Sequence, residues 1–139
     1  MATGPMGVGP VNLSPKGDAR LNVLDPHTIA YLDYTGSGNE TARHIQAGGA
    51  VTVMVCSFEA GNAGVVRFYG KGRVWSLDEY PRAGELTADA AGAIALPPRQ
   101  VIEITVERTI TSCGYGVPVS AGFTPRDRFQ RGRAYKKQP

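Results

Sequence analysis

Cysteine and histidine are scarce in this 139-residue chain, with two of each, and their scarcity closes several routes. Cys56 and Cys113 lie far apart, in strand-like or strand-end contexts, so they make no disulfide framework and read as free thiols of a reducing compartment. His27 and His44 stand outside any Cys/His/Asp cluster at ligand spacing, which excludes a zinc-type metal site. His44 follows Glu40 by four residues and reads as half of a helix-surface pair. No apolar run approaches the roughly 18 residues of a membrane span. The opening Met1-Ala-Thr-Gly-Pro has neither a basic leader nor an apolar segment, so the expectation is a cytoplasmic protein without a signal peptide. Walker and Rossmann fingerprints are both missing, as is the Gly-x-Ser-x-Gly elbow of a serine hydrolase. Neither cysteine has a basic neighbour in sequence, which leaves a covalent nucleophile with little support.

Turn residues, by contrast, are abundant: 18 glycines and 10 prolines without any repeat. That composition suits short strands joined by many turns. Val11-Asn-Leu-Ser14 alternates polar and apolar. Thr28 to Tyr34 is β-branched and aromatic, entered from an Asp25-Pro26 turn. Ala50 to Phe58 is apolar on both alternating faces and is expected to be buried on both sides. Gly64 to Trp75 puts Val66, Phe68 and Val74 on one face and Arg67, Tyr69, Lys71, Arg73 and Trp75 on the other. Gly70 and Gly72 within it mark a bulge or a close approach to the backbone. Gln100 to Ser112 alternates cleanly, with Ile102, Ile104, Val106 and Ile110 sharing a face. Five good strands are expected, and a sixth from a fragment near residues 1–4 or 117–119. Helices are few: Gly38 to Gln46, a stretch from Leu77 to Asp89 broken by Pro81, and a basic segment from Pro125 to Lys137. The expected class is mainly β, a small barrel with a few peripheral helices.

The net charge of +3 is unevenly spread. Residues 125–139 carry Arg126, Arg128, Arg131, Arg133, Lys136 and Lys137 against Asp127 alone, so the remainder of the chain is mildly acidic. The expected organisation is one domain over 1–124 and a basic helix or tail over 125–139. A nucleic-acid role would rest on that tail, which offers few stacking rings and reads as a solvated face.

Thr35-Gly-Ser-Gly-Asn-Glu-Thr41 joins a strand to a short helix, where backbone N–H groups are unpaired and anions are favoured. Glycines permit close approach, while Ser37, Asn39 and Thr41 offer donors. Ser37 with Glu40 three residues on also has the form of a capping box. Glu40 beside a bound dianion would cost energy unless a cation offsets it. Arg67 and Lys16 are the candidate cations, each with a plain alternative: a salt bridge for Arg67, a surface turn for Lys16.

Val11-Asn-Leu-Ser-Pro-Lys-Gly17 paired with Tyr34-Thr-Gly-Ser-Gly-Asn-Glu-Thr41 resembles a subgroup of the pyridoxamine 5′-phosphate oxidase-like proteins. Arg67-Phe-Tyr-Gly-Lys-Gly-Arg-Val74 and Thr111-Ser-Cys-Gly-Tyr-Gly-Val-Pro118 extend the resemblance in the same order along the chain. It implies a six-stranded FMN-binding split barrel, a homodimer with one FMN in each of two intersubunit clefts. By the same resemblance Asn12, Ser14 and Lys16 would line the flavin ring and ribityl side. Tyr34, Thr35, Ser37, Asn39, Glu40 and Thr41 would form the ribityl and phosphate end, with Arg67 supporting the phosphate. Cys113 and the segment to Val117 would approach the partner's flavin. Three departures matter. Glu40-Thr41 replaces the Arg-Lys pair of true pyridoxamine-phosphate oxidases, and the end of the chain lacks their substrate segment. A relative's N-terminal helix and full first strand also have no counterpart before Pro10, which implies a shortened barrel wall. The resemblance therefore implies an FMN-dependent oxidoreductase acting on some other small organic substrate. The alternatives are a flavin- or deazaflavin-binding module without turnover and, further off, a nucleic-acid-binding barrel.

Overall fold

In the computed structural model residues 1–4, 10–16, 19–36, 38–86 and 97–124 are described. Seven strands form a single antiparallel sheet: β1 (Ala2–Thr3), β2 (Asn12–Leu13), β3 (Asn22–Asp25), β4 (Thr28–Tyr34), β5 (Ala50–Cys56), β6 (Val65–Trp75) and β7 (Pro98–Ser112). Their order across the sheet is β2-β1-β5-β6-β7-β4-β3, so β6 is its middle strand and the ends do not close on each other. Among the described residues a single α-helix, α1 (Glu40–Gln46), packs against it. This is a split barrel with one more strand than expected. The addition is β3, which pairs with β4 across the Asp25-Pro26-His27 turn. The fragment near residue 1 is a strand, and 117–119 is not.

The core lies on one face of the curled sheet. Ile29 and Tyr31 of β4, Val51 and Val53 of β5, and Ile102 and Ile104 of β7 meet Ala42 and Ile45 of α1. Fully burying one such aliphatic side chain stabilises by about 1.5–3 kcal/mol. Gly72 makes the helix contact possible: a Cβ there would lie 2.7 Å from Ile45 Cδ1. Gly70 serves the sheet itself, since its Cβ would come within 2.0 Å of the Thr105 carbonyl oxygen. The bulge expected near these glycines sits opposite them, in β7. Tyr69 faces Arg108 and Gly70 faces Val106, leaving Glu107 as the extra residue.

That extra residue corrects one expectation. Ile102 and Ile104 share the buried face as expected, but alternation flips beyond Glu107, and Ile110 emerges 37% exposed beside Arg67 and Met54. β5 corrects another. Val51 and Val53 are buried, whereas Met54 is 52% and Val55 45% exposed, so the strand is not covered on both sides within one chain.

A second, smaller core forms on the opposite face, where Ala30, Tyr80 and Val101 pack with Leu24, Leu32, Trp75, Leu77 and Leu86. The covering segment is a series of turns with one 3-10 turn, Ala83–Glu85, in place of the expected helix from Leu77; residues 87–96 lie outside the described residues, as does the basic segment 125–139. Among the described residues no helix is long and apolar enough to cross a membrane.

Candidate functional site: a polar and an apolar cavity joined at Lys16

Side-chain alternation along β4 carries a carboxylate into the core face. Ile29, Tyr31 and Asp33 point the same way, and Asp33 ends the row only 8% exposed. A buried charge in that position must be compensated. Arg99 Nη2 donates to Asp33 Oδ2 at 2.7 Å, Gln100 Nε2 donates to the same oxygen at 2.8 Å, and Lys16 Nζ stands 3.6 Å from Oδ1. Arg99 and Gln100 are consecutive, and consecutive strand residues normally face opposite sides. They converge here because the pairing of β4 with β7 slips between Asp33–Gln100 and Tyr34–Pro98, leaving Arg99 as an unpaired extra residue.

The same two side chains fix the loop before α1. Arg99 Nη2 reaches the Gly38 carbonyl at 3.3 Å, and Gln100 Nε2 donates to Asn39 Oδ1 at 3.0 Å. Asn39 is the helix N-cap, and its side chain is thus spent on β7 and not on the helix. Glu40 is the first helical residue, and Ser37, its partner in the expected capping box, lies outside the described residues. Its carboxylate folds back onto its own backbone N–H, pairs with Arg43, and also meets the N–H of Asn39; these contacts hold its pKa below the usual carboxylate range. On the opposite wall Asn12 Nδ2 donates to Thr41 Oγ1 at 3.0 Å and to Thr3 Oγ1 at 3.4 Å. His44 Nδ1 lies 3.2 Å from Thr3 Oγ1 and 3.1 Å from its carbonyl oxygen, so His44 ties α1 to β1 instead of pairing with Glu40.

These groups enclose a polar cavity of about 190 Å³, lined by Asn12, Ser14, Lys16, Asp33, Arg99 and the stretch 38–41. Beside it lies a second cavity of about 540 Å³ with a mainly apolar wall. Leu21, Tyr31, Val53, Met54, Val55 and Phe58 supply much of that wall, and Lys16 lines both cavities. The Lys16 ammonium also sits 5.7 Å from the centroid of the Tyr31 ring. Burial, followed by the nearby Asp33 charge, pushes the Tyr31 phenol above its ordinary pKa, so it stays neutral at physiological pH and serves as a wall.

The structure thus gathers Asn12, Ser14, Lys16, Asn39, Glu40 and Thr41 at one cavity. Tyr34 and Thr35 lie at the end of β4 and line neither cavity, and the Thr35 N–H bonds the Pro97 carbonyl at 3.2 Å. Ser37 lies outside the described residues. Arg67 is on β6, donates to Ser112 Oγ at 3.1 Å, and lines neither cavity of its own chain. Cys113 follows β7, exposed, and lines neither. The motifs missed Asp33, Arg99, Gln100 and the whole apolar cavity.

A family model described as pyridoxamine 5′-phosphate oxidase matches residues 8–113. The chain belongs to this family. A curated relative, the pyridoxamine 5′-phosphate oxidase family protein ustO of Aspergillus flavus, is 37% identical over 111 residues, which are 78% of this chain and 44% of the relative. The chain therefore spans less than half the length of that relative. Among solved structures, HupZ of Group A Streptococcus aligns over 87% of this chain and 86% of its own, with a TM-score of 0.56 at 22% identity. A Lactobacillus delbrueckii protein provisionally named a pyridoxamine 5′-phosphate oxidase aligns over 78% and 79%, with a TM-score of 0.55 at 23% identity. At such identities these two bear on the fold, and they agree with a pyridoxamine 5′-phosphate oxidase-like split barrel.

Family membership raises the question of a flavin, and the donor set bears on it on chemical grounds. A flavin mononucleotide has a flat, largely apolar ring at one end and a polyol phosphate at the other. The apolar cavity suits the first and the polar cavity the polyol of the second, with a cation at their junction. The residues present fit the group.

Proposed function

We propose that this chain is a flavin-dependent oxidoreductase that holds FMN, or a deazaflavin of similar shape, and acts on a small organic substrate other than pyridoxamine phosphate. The observation that carries the reading is the sharing of Lys16 between the polar and apolar cavities. In this arrangement Asn12, Ser14 and Thr41 bind the polyol and phosphate end, and Tyr31, Val53 and Phe58 face the ring. Lys16 places positive charge at the ring's polar edge, where it favours negative charge developing there. The bound flavin supplies electron or hydride transfer. The protein's part is to hold and orient it, and Asp33 keeps Lys16 in place for that.

The active form in this proposal is a homodimer. Met54 and Val55 line the apolar cavity yet are about half exposed, so one side of the ring site opens onto solvent in a single chain. Tyr115, Val119 and Phe123 are further exposed apolar residues in the segment after β7. A second copy would cover this surface and bring its Cys113–Val117 segment, and its Arg67, toward the cleft.

The test is the absorption spectrum of protein purified without added cofactor, with the mass of any ligand released. Flavin bands that bleach with NAD(P)H and return with an electron acceptor support an oxidoreductase. Flavin bands that never bleach favour a binding module, and a colourless protein that takes up no flavin refutes the reading. Thr41→Ala is expected to weaken flavin retention with modest loss of stability, and a monomer by light scattering would remove the shared cleft.

A further inference from the structure

Among the described residues the polar cavity is lined by two cations and two carboxylates, and the four are not equally committed. Asp33 is buried and receives Arg99, Gln100 and Lys16, so it consumes roughly one positive charge within the wall. One charge of the Lys16–Arg99 pair is left for a ligand. The buried Nε of Arg99 also has no hydrogen-bond partner among the described residues, a donor not spent on the wall. Glu40 offsets that remaining charge. Its carboxylate lies back over Gly38, close enough that a Cβ there would meet Oε2 at 2.7 Å, and its only ion-pair partner among the described residues is Arg43. Both members of that pair are largely exposed, which makes it a weak tether. The remaining charged groups on the cavity walls are Lys16 and Arg99, which attract Glu40, and Asp33, which repels it.

An anion entering this cavity meets a carboxylate already resting over the loop. Repulsion grows with the product of the charges, so a phosphate dianion is opposed about twice as strongly as a monoanion and an uncharged polyol not at all. We infer that Glu40 is a specificity-determining residue of this site, a built-in competitor that acts most strongly against a doubly charged phosphate end, less against a singly charged one, and leaves a neutral end unopposed. The inference rests on the flavin reading of the two cavities and adds to it the charge class of ligand that the polar end accepts. The site holds a flavin chiefly by its ring and polyol, and gains little from the phosphate.

Titration calorimetry on the full chain, with FMN and with riboflavin as probes, tests this. The wild-type protein is expected to prefer FMN over riboflavin by no more than about tenfold. Glu40→Gln should tighten FMN on the order of tenfold and leave riboflavin unchanged. Glu40→Ala, in which no amide can take over the carboxylate's contacts, should do the same and serves if the glutamine variant does not fold. FMN affinity that is unchanged or weaker in these variants, or an equal gain for both probes, overturns the role of Glu40 while the flavin site stands. Failure of the wild type to bind either probe refutes the flavin site and this role with it.

Discussion

Arg99 and Asp33 form the hinge between sheet and site: Nη2 of the arginine meets Oδ2 of the aspartate at 2.7 Å, and the same nitrogen continues to the Gly38 carbonyl. The pair is set by a slip in register, and it fixes where the loop before α1 begins. Asp33→Asn keeps the shape but weakens two charge-assisted hydrogen bonds and leaves Lys16 and Arg99 uncompensated. Each such bond contributes about 1.5–3 kcal/mol. A loss of stability in that range is expected in urea unfolding, together with faster amide exchange at Gly38 and Asn39. A variant as stable as wild type would show the carboxylate to be dispensable.

Gly72 and Ile45 couple core packing to the same loop. Ala at position 72 brings a Cβ to 2.7 Å from two atoms of the Ile45 side chain, so α1 must shift or Ile45 must leave its rotamer. Overpacking of this kind costs about 1–3 kcal/mol. Because α1 also carries Glu40 and Thr41, Gly72→Ala should weaken ligand binding at a position that touches neither cavity. Thermal melting with flavin titration checks both effects, and loss of stability without loss of affinity would separate helix from site.

What could be read in advance follows from periodicity. β6 and β7 announce themselves by apolar residues that recur every second position, and β4 by its β-branched and aromatic run. The motif residues Asn12, Ser14, Lys16, Asn39, Glu40 and Thr41 were legible for a different reason, their resemblance to a known family. Each bulge broke the reading where it occurred. Glu107 reverses the faces beyond it and turns Ile110 outward. Arg99 is the extra residue opposite Asp33, and no alternation rule places it beside Gln100 at one carboxylate. Asp33 itself was detectable, since Ile29, Tyr31 and Asp33 form one row and an acid ending a buried row calls for partners. β3 was hidden because its run, Asn22-Val-Leu-Asp25, is too short to show a period.

Arg82 offers a test at low pH. It donates to Asp25 Oδ2 at 2.6 Å and to Glu85 at 2.7 and 2.8 Å, tying the segment over the second core to the β3–β4 turn. The Arg82 hydrogen bond is the main reason that both carboxyls titrate below their ordinary range. A lowered pKa in the folded state means that the unfolded chain binds protons first. The stabilisation is therefore complete above the unfolded values of about 3.9 and 4.3, and is lost as pH falls through the lowered folded values. Melting temperatures from pH 7 to 3 should drop more steeply in wild type than in Arg82→Ala. Parallel curves would mean that the exposed network contributes nothing.

Trp75, the single tryptophan, reports on the second core. Its Nε1 donates to Glu103 Oε1 at 3.2 Å, and Tyr80 OH donates to Oε2 at 2.9 Å, so one carboxylate satisfies both rings. The rings meet edge to face with centroids 5.8 Å apart, and Arg73 stacks 3.6 Å from the indole centroid. Burial, and then the bond to Glu103, raises the Tyr80 pKa, so the phenol stays protonated and donating beyond its ordinary range. Its stabilisation is complete below the unfolded value of about 10 and fades as pH rises through the folded one. Glu103→Ala leaves Tyr80 OH buried without its acceptor and frees the indole N–H, at a cost of about 1–3 kcal/mol for the buried donor. The expected signature is lower stability with a red-shifted Trp75 emission as water reaches the ring. Glu103→Gln, which keeps one acceptor, should recover part of both. Unchanged emission in the alanine variant would show that packing against Tyr80, and not the carboxylate, holds the tryptophan in place.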